Sequence, residues 1–217
     1  MTKVSNLLAR WVAYELARAG FRWDKPSARY RDNATGRYVS EQHVRETVEA
    51  FNLDAHRDNV TNLTQQLIDK KISLPDWQQA MAQEIKDAHI VNASAGRGGR
   101  NAMTQEDWGR TGGRLTNEYN HLNSFADDIA TGNMSDAQIM ARANSYSGAS
   151  RKAYYDGMTA AAADAGFTEE RRLLQPGESC GDCIAFEAKG WQPVGSLPEP
   201  GQDSQCLSNC NCIKEYR

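Results

Sequence analysis

The chain has 217 residues, of which 24% are charged and 40% hydrophobic, and a formal net charge of −3. That length suits one medium domain or a domain with a small appendage, and the slight negative charge excludes whole-chain attraction to nucleic acid. The mean hydropathy is −0.70, and no apolar run approaches the roughly 18 residues that cross a bilayer, so long helices with one wet face and no membrane partner are expected.

Residues 4–19 predict a helix, with Leu7, Leu8, Trp11, Val12, Leu16 and Ala19 on one side and Gly20 as its stop. Arg10, Glu15 and Arg18 interrupt the apolar core that a secretory signal needs. A protein kept in a reducing cytosol is therefore expected, and there clustered cysteines favour metal over disulfides. Residues 21–40 read as an irregular stretch around Pro26 and the turn residues 32–36. Residues 1–40 hold eight Lys or Arg against three Asp or Glu, and the basic side chains alternate with aromatics. Large aromatics in an irregular segment need a cover. Phe21, Trp23, Arg29, Tyr30, Arg31, Arg37 and Tyr38 are thus candidate partner-binding residues, with nucleic acid as the alternative occupant.

Ser40 caps a long helix with an apolar stripe of Val44, Val48, Phe51, Ala55, Leu63 and Leu67. Asn52, Asp54 and Asn59 weaken its middle, where a break is expected. Ser73-Leu74-Pro75-Asp76 starts the next helix, continued by Trp77, Met81, Ile85, Ala88 and His89 and interrupted at residues 95–100. Thr104 with Asp107 opens a third helix through Trp108, Leu115, Tyr119, Leu122, Phe125 and Ile129. Its Gly112-Gly113 predicts close packing or a kink. Ser135 with Gln138 is a capping box for one last long helix ending at Ala165-Gly166.

Beyond Gly166 the composition changes. Prolines and glycines become frequent, all five cysteines fall in this tail, and short strands are expected over 171–174, 191–197 and 212–216. The cysteines follow the pattern Cys180-x2-Cys183, then Cys206-x3-Cys210-x-Cys212. A C-x2-C pair on a tight turn aims two thiolates at one point, and a second knuckle completes a zinc tetrahedron. The tail is too short and too rich in proline to build a core, so a cross-link must replace one. Disulfides would leave one of five thiols over. A redox pair lacks its βαβ setting, and a catalytic deaminase-type zinc lacks the H-x-E that accompanies it. A structural zinc is expected, held by Cys180, Cys183, Cys206 and one of Cys210 and Cys212. No Ser-His-Asp set, G-x-S-x-G or phosphate-cradling loop occurs, so neither enzymatic activity nor a small-molecule substrate is expected.

The tail residues Cys180-Gly181-Asp182-Cys183, Gly190-Trp191, Leu197-Pro198 with Gly201, and Cys206 through Asn209-Cys210-Asn211-Cys212 resemble the cysteine-rich end of phage head morphogenesis proteins, the Mu F-like minor head family. That family's usual tail is C-x2-C followed by H-P-N-C-R-C. Here the histidine is missing and Cys206 stands one residue further upstream, as a replacement ligand. The helical part is similar too, in Gly96-Arg97-Gly98-Gly99, Met103, Asp107-Trp108, Tyr119-x2-Leu122-x2-Phe125 and Gly132-x2-Ser135-x2-Gln138, as is the N-terminal segment from Arg31-Asp32 to Val39. The resemblance implies a minor capsid protein of the virion head, made in the bacterial cytoplasm. It would associate with the portal protein and the major capsid protein, with packaged DNA as a further contact, and act in head assembly or DNA packaging and delivery. The rival reading is a nucleic-acid-binding zinc-knuckle module.

The expected fold is mainly α. It has an N-terminal helix and basic-aromatic arm over 1–40, an elongated helical body over 41–166, and a small α+β zinc-stapled tail over 167–217.

Overall fold

The computed structural model describes residues 20–24, 27, 29–201, 204–207 and 210–217; the helix expected over 4–19 lies outside them. The fold is mainly α. Strands β1 (Phe21–Asp24), β2 (Arg29–Asp32) and β3 (Tyr38–Val39) come first. The helices α1 (Glu41–Ile68), α2 (Leu74–Arg97), α3 (Gln105–Ala130), α4 (Asp136–Ala149) and α5 (Arg151–Asp164) form the body. The tail holds β4 (Glu169–Leu173), α6 (Gly181–Ala188), β5 (Gln192–Pro193) and β6 (Ile213–Tyr216).

The helix starts follow the sequence. The Ser40 side chain accepts from the His43 amide and Ser73 from that of Asp76. Thr104–Asp107 and Ser135–Gln138 form complete capping boxes. At the end of α2, Gly98 takes φ 92° and donates to Ala95, while Gly99 donates to Ser94, a Schellman stop.

Four expectations need correction. Residues 21–40 are not irregular: β1, β2 and β3 make an antiparallel meander with Phe21 opposite Asp32 and Tyr30 opposite Val39. Helix α1 is continuous through Asn52, Asp54 and Asn59, because polar groups of its middle bond to neighbouring helices rather than competing for their own backbone. Asn59 donates to Glu84 at 3.1 Å, His56 pairs with the same carboxylate, Thr61 bonds Asn144 at 3.0 Å, and Thr64 accepts from the Trp77 indole at 3.3 Å. The last long helix is divided at Ser150. Its hydroxyl donates to Ser147 at 2.9 Å and accepts from the Asn92 amide at 2.8 Å, while the Ala153 amide turns to the Ser150 carbonyl.

The close helix crossing is not at Gly112-Gly113, where an added Cβ would meet nothing within 4 Å. It lies between α2 and α5. A Cβ on Gly96 would sit 1.8 Å from the Tyr154 carbonyl oxygen, and one on Gly157 would sit 2.6 Å from that of Ala93.

The body's core joins Val60, Trp77, Met81, Ile85, Leu122, Phe125, Ile139, Ala143 and Tyr146. Trp77 meets Phe125 edge-on at 5.4 Å, and Phe125 stacks on Tyr146 at 6.3 Å. Burying each such large side chain stabilises by about 1.5–3 kcal/mol.

At Gly166 (φ 83°) the helix stops; Gly166 donates to Ala163 and Phe167 to Ala162. The tail then folds back onto α5. Its sheet has the order β5-β4-β6, all antiparallel, with Arg172 opposite Lys214 and Glu170 opposite Tyr216. Tyr155 donates to the Cys212 carbonyl at 3.2 Å, Arg151 donates to that of Cys210, and Thr159 bonds both Glu199 and Tyr216 at 2.9 Å.

Candidate metal centre

Cys180 caps the N-terminus of α6 with extended backbone (φ −72°, ψ 161°), and Cys183 lies one turn inside. The C-x2-C pair therefore sits on a helix start rather than on the expected tight turn. The amide of Cys183 bonds the Cys180 sulfur, which lowers that thiol to about 7, as helix N-termini do for thiolates. Asp182 accepts from the Gln205 amide at 2.8 Å and so ties this knuckle to the second one. There Leu207 donates to the Ser204 carbonyl and Cys210 to the Leu207 carbonyl. Leu207 takes the left-handed φ of 43° that turns the chain between the sulfurs.

The cysteines converge, and none forms a disulfide. Their sulfurs make two groups, Cys180–Cys183–Cys206 and Cys183–Cys210–Cys212, each with all atoms within 4.8 Å, so Cys183 is the shared vertex. Cys183 lies 3.4 Å from Cys206 and 3.7 Å from Cys210. Bonded sulfurs would lie about 2.0 Å apart, whereas a tetrahedron with metal–sulfur bonds of about 2.3 Å has edges of about 3.8 Å. The donor set therefore fits a metal ion. Cys183, Cys210 and Cys212 are buried, with Leu174 packed against them. Burial lifts the Cys183 thiol to about 12 and raises Cys206. Donation from the Cys212 thiol drops Cys210 to about 4 and pushes Cys212 up. An ion bound here would replace the thiol protons and release them.

Beside the thiols lies a group of charges that no sequence pattern announced. Strand β4 alternates, but the side chains it buries are Glu170 and Arg172, both 0% exposed, and Lys214 on β6 is 0% exposed as well. The Lys214 ammonium lies 2.8 Å from Glu170, 3.1 Å from Glu199 and 3.1 Å from the Leu197 carbonyl oxygen. Glu170 also accepts from the Leu197 amide at 2.7 Å, and Arg172 donates to the Pro198 carbonyl at 3.3 Å. These bonds hold the segment 197–199 against the sheet. Lys214 is thus an interior cation of the tail.

The expected partner-binding residues are not one exposed set. Phe21 is 3% exposed and packs with Val44, and Tyr30 and Val39 pack partly buried against them. This corrects the expectation of an exposed Phe21, whose cover comes from this chain itself. The Trp23 side chain lies outside the described residues. Arg29, Arg37 and Tyr38 are exposed, while Arg31 is half-buried and bonded to Gly36 and Tyr38.

Among the described residues no helix is long and apolar enough to cross a membrane. Comparison with protein families, with curated proteins and with solved structures finds no match for this chain.

Proposed function

We propose that this is a non-enzymatic minor head protein of a phage, whose tail is stapled by a structural zinc ion and whose partners are the portal and major capsid proteins. The observation that carries the reading is the convergence of Cys180, Cys183, Cys206, Cys210 and Cys212 into one thiol cluster, on the spacing that resembles the Mu F-like tail. Soft thiolates select zinc among the common divalent ions. A full set of sulfur donors, three of them buried and with no histidine or carboxylate among them, suits a closed structural site rather than a catalytic one with an open position. Zinc would supply cross-linking here, and the residues that hold it would be Cys183 with three of the other four.

The zinc-knuckle alternative needs free aromatic and basic groups around the metal. Trp191 instead lies under Arg171 at 4.7 Å and Arg217 at 4.3 Å, Lys189 lies over Phe186, and Lys214 is buried. That disfavours the rival. The decisive experiment is cross-linking mass spectrometry on purified heads of the phage that encodes the chain, with metal analysis of the isolated protein. Cross-links to the portal and about one zinc per chain are expected. Absence of the chain from heads overturns the head role, and metal-free protein overturns the staple.

A further inference from the structure

Five thiols are one more than a tetrahedral ion uses. Their sulfurs fall into two triangles, Cys180–Cys183–Cys206 and Cys183–Cys210–Cys212, each with all atoms within 4.8 Å, and the triangles share the Cys183 sulfur. Among the described residues no four of the sulfurs make one such group. A single four-coordinate ion must therefore draw a sulfur from one triangle toward the other and leave a fifth idle. The triangles also differ in exposure. Cys180 and Cys206 are half-buried, whereas Cys183, Cys210 and Cys212 are buried, with Leu174 packed against the cluster. Among the described residues no histidine or carboxylate joins either triangle.

We propose that the cluster is also a site for two monovalent soft ions of the class of Cu+, one in each triangle, bridged by the Cys183 thiolate. This rests on the thiol cluster of the staple reading but not on its zinc. The number of donors decides the ion. Thiolates select both zinc and Cu+ among the metals, but zinc in a closed protein site takes four ligands. Two zinc ions sharing Cys183 would have three sulfurs each and no further donor to complete them. Cu+ is satisfied by three thiolates. A trigonal ion with metal–sulfur bonds of about 2.3 Å sets its sulfurs about 4.0 Å apart. Cys183 stands 3.4 Å from Cys206 in one triangle and 3.7 Å from Cys210 in the other. The half-buried Cys180 and Cys206 open the outer triangle to solvent, and Cys183, a member of both, is the sulfur across which an ion passes to the buried one. Loading is a ligand exchange without electron transfer. Two Cu+ displace one zinc ion from four thiolates, the fifth thiol releases its proton to water, and five thiolates then hold the two ions.

The test is anaerobic titration of the zinc-loaded full-length chain with Cu+, read by native mass spectrometry. Uptake should saturate at two Cu+ per chain as one zinc ion leaves. The X-ray absorption spectrum of the loaded protein should show three sulfurs and one near copper around each ion. Cys212→Ser keeps four cysteines and should still carry one zinc ion, with an unchanged circular dichroism spectrum. Its capacity for Cu+ should fall from two to one, because the buried triangle has lost a corner. Saturation of the natural chain at one Cu+ overturns the proposal, as do uptake beyond two and a pair of ions with no copper neighbour. A Cys212→Ser chain that still takes two Cu+ overturns it as well. The two readings fail separately. A zinc-loaded chain that stops at one Cu+ ends this proposal and leaves the staple, whereas a chain that takes up no zinc but holds two bridged Cu+ ends the staple and leaves this site.

Discussion

The helical body and the cysteine-rich tail solve the problem of an interior in opposite ways. In the body the interior is apolar: Trp77, Met81, Leu122 and Phe125 are almost wholly buried, and burial itself supplies the stability. In the tail the largest buried side chains of the sheet are Glu170, Arg172 and Lys214. Buried ion pairs recover little net stability after desolvation, so the tail must be held by something else, and the thiols stand beside those charges. Buried charge occurs on both sides of Gly166, since Arg97 in the body pairs with Asp107 at 2.8 Å, but only the tail builds the interior of its sheet from it.

A chelator acting on the thiol cluster is the strongest way to break this comparison. On the proposed zinc staple, it is expected to unfold the tail while α1 to α4 keep their structure. Far-ultraviolet circular dichroism should keep most of its helical signal. Hydrogen exchange should accelerate in residues 167–217 and in α5, whose Arg151, Tyr155 and Thr159 bond the tail. Cooperative loss of nearly all helix would instead make body and tail a single unit.

Lys214→Met is next in size. It leaves Glu170 and Glu199 buried without their cation and should destabilise by about 3–5 kcal/mol in urea unfolding of the metal-loaded protein. The double variant with Glu170→Gln should recover most of that loss, since it removes a stranded charge as well.

In the body the corresponding break is steric. Gly96→Ala drives a methyl into the Tyr154 carbonyl and should cost about 3 kcal/mol, because the α2–α5 backbones must separate. Acid sharpens the contrast further. His89 is 1% exposed and neither ring nitrogen has a hydrogen-bond partner. Burial foremost, with the charges of Arg114 and His56, lowers its pKa from 6.5 to about 4. The unfolded chain thus binds the proton first. The stability is fully present above about pH 6.5 and is lost as pH falls toward about 4, a loss on the order of 3 kcal/mol. His89→Leu should flatten that part of the stability profile; an identical acid profile would show that His89 already has a way to hold its proton. The smallest effect has the opposite sign. Gly112→Ala, on a helix surface with nothing near its Cβ, should stabilise by about 1 kcal/mol, measured as a raised midpoint of thermal unfolding.

Where information is local, the sequence determined the result. Ser40, Ser73, Thr104 and Ser135 cap the helices that follow them, because a capping hydroxyl acts within three residues and needs no tertiary context. The stop at Gly166 and the five gathered thiols were legible for the same reason, since spacing in the chain limits which sulfurs meet. Tertiary structure alone decided the rest. Asn52 and Asn59 read as helix breakers until α2 and α4 provide partners for the polar residues around them. Gly112-Gly113 and Gly96 are equally small in the sequence, and only the crossing with α5 distinguishes them. The aromatics of residues 21–38 look uncovered until α1 packs beneath Phe21. Glu170, Arg172 and Lys214 carry the composition of a wet strand face; they are interior because each finds its counter-charge or carbonyl on a segment distant in sequence, and no local pattern encodes such a pairing.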